Sequence, residues 1–419
     1  MKNLRMLGAL AGGAILIAGA YGAMVGNIEA DISFDSDEDY STRHSVEGGK
    51  AEFYLKDGEQ IIKAKWRDNF GLDDTAMRIT TVDRKLTIEV KENDTLKKVI
   101  FKNNDDDLER SFYINDKQQS QTRVTDDEID ALTLTFLRAS GLKAEDRVNA
   151  LLTQGGASSV IKELPILGSE QALISYIKAL SETTQLQPSE IDSLANALSA
   201  VESDHHLRHS IEVVLENQTI TSQTAPSLIK LADSIENDHD IRKLVEVFAE
   251  RPLNAESYNI VIDLMDRIEG GHDLRKSIEA IFNNENLTDS AKERILHESL
   301  PRLEDDHQLY LVLALTAKNF IPTEKYADGW FTAYSRLSSS HDHRRALSEL
   351  ITENELEDEI WHRAINAVSE ISSDHDQRII LEEIAELAPR NDRIVKAYLD
   401  VANDISADRD RKVAIAAIQ

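Results

Sequence analysis

The sequence predicts an α+β protein by domain: a small antiparallel β domain followed by an all-α solenoid of helical hairpins, HEAT-like in its packing. Two observations predict this fold. Apolar and polar residues alternate with a period of two before residue 123, and a short phrase returns at a period of about 34 after residue 200. The alternation indicates strands with one buried face. The longer period indicates supersecondary units that stack on copies of themselves.

Composition excludes several classes of function. The chain has 419 residues and a net charge of −29, which repels phosphate backbones and makes nucleic acid an unfavourable partner. Most of the excess lies in residues 124–419, which hold 54 acidic and 29 basic side chains. There is no cysteine, so disulfides, thiolate nucleophiles and cysteine-ligated metal sites are excluded. We expect no cofactor.

Residues 1–26 are predicted to be a signal peptide or a membrane anchor. Lys2 and Arg5 precede the apolar run Leu7–Ala20, which small residues follow. Without cleavage, Leu7–Val25 is 19 residues long, just enough to span a bilayer. We therefore expect an exported protein that is periplasmic, either soluble or anchored to the inner membrane by this segment, with no other membrane contact.

Residues 27–123 are predicted to form the antiparallel β domain. Phe53 and Leu55, Ala64 and Trp66, and other short apolar pairs alternate with polar residues, which predicts six or seven strands. Asp57-Gly58 between two such runs is the strongest hairpin signal.

Residues 124–165 are predicted to be a helical adaptor. Thr125-x-x-Glu128 has the pattern of a capping box, and it opens a helix that should end at Gly141. Two more helices are expected over Ala144–Gln154 and Ala157–Leu164.

Residues 166–419 are predicted to hold seven to eight repeats. The phrase, roughly S-D-H-D-x-R, has a conserved anchor position that is occupied by His205, His239, His272, His307, His341, His375 and Arg409. A degenerate first copy centres on Gln171. Positions four before and six after the anchor are apolar in all seven copies, which predicts two antiparallel helices per unit, the first starting at the phrase. The tetratricopeptide signature is missing.

The histidine ladder suggests metal binding or a pH switch. Equivalent positions of stacked helices lie about 8–10 Å apart, whereas zinc ligands lie within about 2.2 Å of one ion, so the ladder is not expected to chelate metal between repeats. We interpret the rings as packing where one hairpin meets the next. His205 and His209, an i, i+4 pair, form a weak zinc candidate, and no other metal site is expected.

A basic residue follows three positions after every anchor except His307, where Tyr310 breaks the ladder. This basic ladder comprises Arg208, Arg242, Arg275, Arg344 and Arg378, with Lys412 in the last copy. Asp204, Asp238, Asp374 and Asp408 lie four residues before the basic residue, in the acid-before-base order that stabilises a helix, and other aspartates follow the anchors. This pattern predicts a network of ion pairs within and between repeats. The alternative is a row of guanidinium groups that binds the carboxylates of a partner.

No catalytic signature is present: the sequence has no G-x-S-x-G, P-loop, dinucleotide fingerprint or H-E-x-x-H. No catalytic residue is therefore predicted.

The linker Ser140–Leu152, the pair Gly155-Gly156 and the repeats together resemble uncharacterised bacterial cell-envelope proteins. In that group an N-terminal sheet domain precedes S-D-aromatic-x-x-R repeats, and similar repeats follow some membrane peptidases of the beta-lactam-regulator type. This chain has histidine where the aromatic residue is usual, and it has no peptidase motif. The resemblance implies an envelope location and no defined activity.

These features predict a non-enzymatic protein–protein interaction scaffold of the bacterial cell envelope, with a protein partner. An anchored sensory or regulatory ectodomain, coupled to a membrane signalling protein, is the first alternative, and an enzyme of unrecognised class is the second.

Overall fold

The computed structural model describes residues 30–36, 40–104, 107–120, 123–251, 253–284, 287–318, 324–353 and 355–419. Two compact units result: one runs to Val201 and includes 216–218, and the other comprises 202–215 and 219–419. An antiparallel sheet followed by a helical array confirms the predicted α+β architecture. Among the described residues, no helix combines the length and apolar character needed to cross a membrane, and the predicted N-terminal segment lies outside them.

The sheet has more strands than the sequence predicted. Eight strands pair antiparallel in the order β1-β2-β3-β4-β7-β8-β9-β10, and β5 and β6 form a separate hairpin. Their bounds are β1 Ala30–Ser36, β2 Tyr40–Glu47, β3 Lys50–Asp57, β4 Gln60–Arg67, β5 Phe70–Leu72, β6 Ile79–Val82, β7 Lys85–Glu92, β8 Thr95–Asn104, β9 Asp107–Ile114 and β10 Lys117–Gln118. The prediction of six or seven strands is wrong because β2 is mostly polar, and β5 and β10 have only three and two residues.

The first helix completes the core of the sheet. Helix α1 (Asp126–Ser140) places Phe136 with its ring centroid 6.0 Å from that of Phe53, 6.1 Å from Trp66 and 6.3 Å from Phe70. Leu86, in β7, is fully buried in the same core. The alternating apolar face found in the sequence is thus covered by a helix that the sequence assigned to an adaptor.

Local signals set the ends of α1. The side chain of Thr125 accepts a hydrogen bond from the backbone N–H of Glu128, and the backbone N–H of Thr125 donates one to the carboxylate of Glu128, so the predicted capping box is present. Gly141 ends the helix at φ 66°, and a Cβ there would lie 2.8 Å from the Cα of Ala172. Glycine is therefore required both by the left-handed backbone and by the close approach of the helix that contains Ala172.

The remaining helices follow the predicted two-helix unit. The first unit adds α2 (Ala144–Gly155), α3 (Ala157–Glu163), α4 (Glu170–Thr183) and α5 (Pro188–Leu198). From there the helices are α6 (Asp204–Asn217), α7 (Ala225–Leu231), α8 (Asp238–Ala249), α9 (Ala255–Met265), α10 (Gly271–Phe282), α11 (Asp289–Arg294), α12 (Asp306–Lys318), α13 (Glu324–Tyr334), α14 (Ser340–Glu353), α15 (Asp358–Ala367), α16 (Asp374–Leu387), α17 (Asp392–Asp404) and α18 (Asp408–Ile418).

The repeated apolar positions form the core of the array. Six residues after the anchor, Ile211, Val245, Ile278, Leu313, Leu347 and Leu381 are buried, and Ile415 is half-buried in the last helix. Four residues before the anchor, the side chains from Ile235 to Ile405 are likewise buried. The phase that the sequence assigned to the repeat helices is confirmed.

Candidate functional site

The repeated phrase lies at the start of the even-numbered helices from α6 to α18, and its first residue caps the helix in several copies. The side chain of Asn237 accepts a hydrogen bond from the backbone N–H of Asp240 at 3.2 Å, and Ser373 accepts one from Asp376 at 3.3 Å. These bonds satisfy backbone donors that the first turn of a helix leaves free.

The aspartate before the anchor binds the backbone of the following repeat. Asp204 accepts hydrogen bonds from the backbone N–H groups of Glu236 and Asn237, 32 and 33 residues away. The same arrangement recurs for Asp238 with Glu269 and Gly270, for Asp306 with Ser338 and Ser339, and for Asp374 with Ser406 and Ala407. We name these bonds the aspartate staple. The sequence pattern suggested instead that this aspartate pairs with the basic residue four positions on.

The last copy shows that suggested pairing. Asp408 accepts from Lys412 at 2.6 Å and from Arg411 at 2.7 Å. Gly271 occupies the staple position in the repeat of His272 and has no side chain to offer. The aspartate staple is therefore a contact between repeats. In the last helix, α18, the equivalent residue Asp408 forms ion pairs within its own helix instead.

Three of the ladder arginines connect three partners each. Arg242 donates from Nε to Asp273 of the next repeat, from one terminal nitrogen to Glu246 on its own helix, and from the other to Nδ1 of His239. Arg208 and Arg378 have the same three kinds of partner. The planar guanidinium suits this arrangement because its five donors have fixed directions. This is the predicted network of ion pairs, with contacts both within and between repeats.

The anchor histidines are exposed. His205, His239, His272, His307, His341 and His375 all lie at the surface, so the expected packing of these rings between helices is wrong. The buried positions next to them belong to apolar residues such as Leu207 and Ile241. The ring is held instead by its arginine, at 2.9 Å in the pair of His239 and Arg242.

These contacts fix the tautomer of four anchor histidines. Nδ1 of His205, His239, His341 and His375 receives a hydrogen bond from the arginine three residues on. A guanidinium only donates, so this nitrogen must be unprotonated and the proton lies on Nε2. Each of the four rings therefore offers one N–H donor on an exposed side chain.

The weak zinc candidate pairs two rings in one helix. The ring centroids of His205 and His209 lie 5.2 Å apart, and Nδ1 of His209 is 3.6 Å from Glu212. Burial, with the charge of Arg208 next for His205, lowers the pKa of both rings. In the part of the chain that the structure describes, no group of three or more histidine, aspartate or glutamate side chains could hold a metal ion. The weak zinc candidate of His205 and His209 therefore gains no third ligand among these residues.

Comparisons with known proteins give no family. No family model matches the chain, and no curated protein matches it. A solved protein described as a computational design of self-assembling cyclic homooligomers aligns at 15% identity over 66% of this chain and 92% of its own, with a TM-score of 0.13. At that score the alignment carries no structural argument.

A second set of contacts between repeats was not predicted. On the odd-numbered helices, Arg294 donates to Asp263, Arg363 to Asp328 and Arg393 to Glu359, each across 31 to 35 residues. Arg267 and Arg302 also donate to carbonyls of the preceding repeat. The sequence signal that could have found these pairs is the separation of each arginine from its acidic partner, which is close to the repeat period of 34.

The first unit contains a buried ion cluster of its own. Glu163 in α3 accepts from Arg138 at 2.8 Å and from Arg147 at 3.2 Å, and Arg147 also donates to the carbonyl of Thr75 in the β5–β6 loop. Burial opposes ionisation of Glu163, but the two arginines outweigh it and lower its pKa. This cluster ties a sheet loop to α1, α2 and α3, and it was not predicted.

Proposed function

We propose that the chain is a non-enzymatic protein-binding scaffold of the bacterial cell envelope, and that the row of exposed anchor histidines is its binding surface. The observation that carries the proposal is that the residues of the repeated phrase have separate roles, and that these roles recur from repeat to repeat. Aspartate and arginine hold successive repeats together, and the imidazole remains exposed with an N–H donor.

The geometry favours an extended polypeptide as the ligand. Exposed donors that recur in four of the repeats match acceptors that recur along an extended chain, such as backbone carbonyls or carboxylates. The arginines are less suited to this role because each already binds two or three partners in its own structure. Repeat arrays commonly present such extended binding surfaces.

The envelope location rests on the order of charged, apolar and small residues at the N-terminus and on the resemblance of the repeats. The mass of the mature chain tests it. A mature N-terminus near Tyr21 or Ala23 supports export with cleavage, and an intact N-terminus in a membrane fraction supports the anchored form. An intact chain recovered with cytoplasmic proteins would contradict the location.

Site-specific photo-crosslinking in the cells that produce the protein tests the binding surface. A photoreactive residue at His239, His307 or His375 should give the same discrete crosslinked protein. The exposed residue Lys230 on α7 is the control position. No crosslink from the histidine positions, or equal crosslinking from Lys230, would overturn the proposal.

A further inference from the structure

The outer face of the large sheet carries a concentration of positive charge in an acidic protein. Cross-strand partners share one face of a sheet, so the register assigns each side chain to the core face or to the outer face. From β2 to β9, the outer face has ten basic and five acidic side chains among the described residues. The basic ones are Arg43, Lys50, Lys56, Lys63, Lys65, Arg67, Lys85, Lys91, Lys98 and Lys102, and the acidic ones are Glu47, Glu52, Glu89, Asp107 and Glu109.

The middle of one row across this face consists of four cations, and the row ends at Glu47, opposite Lys50, and at Glu109, opposite Lys102. Lys50 pairs with Arg67 across β3 and β4, and Lys85 pairs with Lys102 across β7 and β8. Arg67 and Lys85 lie one residue beyond the paired residues Trp66 and Leu86, so the two pairs adjoin. The row covers three inter-strand spacings of about 4.8 Å each. We name these four residues the cationic row, and all four are exposed.

The cationic row costs stability in the isolated protein. Like charges directly opposite each other on neighbouring strands are destabilising. Glu47 and Glu109 offset the repulsion at the two ends of the row only, because they lie opposite Lys50 and Lys102. Other acidic side chains nearby pair with other cations: Glu52 with Lys65 at 2.8 Å, and Asp116 with Lys98 at 2.7 Å. An anionic surface would relieve the repulsion that the row creates.

Two tyrosines lie among these cations. Lys63 is 5.4 Å from the ring centroid of Tyr54, and Lys98 is 5.2 Å from that of Tyr113. Tyrosine and lysine together are typical of protein surfaces at the headgroup level of a bilayer. The basic residues lie in successive rows rather than around a cleft, which favours a broad anionic surface over a single anionic group.

We propose that this outer face docks on an anionic lipid surface. The position of the sheet in the chain supports that occupant: only residues 26–29 separate Val25, the end of the predicted apolar segment, from Ala30 in β1. Such a connection spans at most roughly 17 Å. The proposal shares with the proposed function the expectation of export, and an anchored segment would hold the sheet beside the membrane.

Vesicle binding by the full-length chain tests the proposal. Because the apolar segment could bind any vesicle, the readout is the ratio of affinities for vesicles of phosphatidylcholine with phosphatidylglycerol and for phosphatidylcholine alone. We expect a ratio of about tenfold or more at low salt. High salt should remove it, since the Debye length falls from about 10 Å at 0.1 M to about 3 Å at 1 M.

Charge reversal locates the effect. The triple variant Arg67→Glu, Lys85→Glu, Lys102→Glu should reduce the ratio to about one, with native tryptophan fluorescence as the check on folding. The milder variant Arg67→Gln, Lys85→Gln, Lys102→Gln avoids placing a new carboxylate opposite Glu109 and should lower the ratio in the same direction. The control Lys162→Glu, Lys230→Glu, Lys396→Glu makes the same change in net charge at exposed positions and should leave the ratio unchanged.

Three outcomes would overturn the proposal: equal affinity of the parent for both vesicles, an equal effect of the control, or binding by the parent of polyglutamate but not of anionic vesicles. The last would indicate an acidic protein as the occupant. Photo-crosslinking from the anchor histidines is independent of all three, so failure here is distinguishable from failure of the proposed function.

Discussion

The carboxylate of Asp204 accepts a hydrogen bond of 2.8 Å from the backbone N–H of Asn237, although the two residues are 33 positions apart. Asn237 caps helix α8, so a side chain at the start of one repeat fixes the backbone at the start of the next. Four of the repeats share this contact, and it explains why aspartate recurs beside the anchor.

We expect Asp238→Ala to lower the free energy of unfolding of the array by about 1–3 kcal/mol, because two backbone N–H groups lose their acceptor. The matched control is Asp408→Ala in α18, which removes only exposed contacts with Lys412 and Arg411 and should cost less than about 1 kcal/mol. Urea unfolding followed by circular dichroism measures both. Equal losses would contradict the staple.

Gly271→Asp is expected to stabilise the array by about 1 kcal/mol. A Cβ at Gly271 meets no atom within 4 Å. An aspartate there should accept hydrogen bonds from the backbone N–H groups of Glu304 and Asp305, the positions of the next repeat that correspond to the donors of the aspartate staple. It also adds an anion to the first turn of α10 and removes a helical glycine. Gly271→Ala separates the two effects: a gain equal to that of aspartate would assign the whole effect to helix propensity.

Arg242→Lys is expected to cost about 1–3 kcal/mol in spite of the conserved charge. An ammonium group cannot direct donors to Asp273, Glu246 and His239 together. Arg409→Lys in α18 is the control, at an exposed position, and should change stability by less than about 0.5 kcal/mol. Thermal unfolding of the two variants side by side is the measurement, and an unchanged Arg242→Lys variant would refute the three-partner role.

Acid should destabilise the array in two stages. Burial chiefly lowers the pKa of His205 and His209, so their contribution is complete above the unfolded value near 6.5 and is lost as pH falls through the folded pKa. For Asp306, burial acts in the opposite direction, but hydrogen bonds from Ser338 and Ser339 lower its pKa, so its contribution declines below about pH 4. Unfolding free energies between pH 8 and pH 3 test this, and constant stability from pH 8 to pH 5 would contradict the first stage.

Phe136→Ala should destabilise the β domain by about 3–5 kcal/mol, because the ring is fully buried against Phe53, Trp66 and Phe70. Thr135→Ala, one residue earlier on α1 and only half-buried, is the control. Fluorescence of Trp66 during unfolding reports on the sheet. Trp330 and Trp361 are first replaced by phenylalanine in the reference chain, so that the signal comes from Trp66 alone. A small loss for Phe136→Ala would show that the sheet folds without α1.

Sequence reasoning succeeded where the signal is local. The hairpin at Asp57-Gly58, the capping box of Thr125 and the end of α1 at Gly141 all depend on residues within four positions of one another. The apolar positions of the repeats could also be predicted from the sequence, because the period places them on one face of each helix.

Contacts over longer separations were missed or misassigned. The partner of Asp204 lies 33 residues away, so a local reading paired the aspartate with Arg208 on the same helix. The anchor histidine was expected to pack because it defines the repeat, yet the neighbouring leucine and isoleucine positions fill the core. The sequence did not show that Phe136 packs against the sheet, because helix periodicity indicates which face of a helix is buried but not which element covers that face.

The aspartate staple and the contacts of the ladder arginines with the next repeat reach only the adjacent repeat, which has a consequence for how such a chain changes length. Deleting one whole unit brings together a carboxylate and a backbone of the same kinds as those removed, so every junction can re-form. Inserting one residue between two anchors shifts both contacts at one junction and leaves the others untouched. We therefore expect the array to tolerate gain or loss of sequence in steps of one whole period better than the insertion of a single residue.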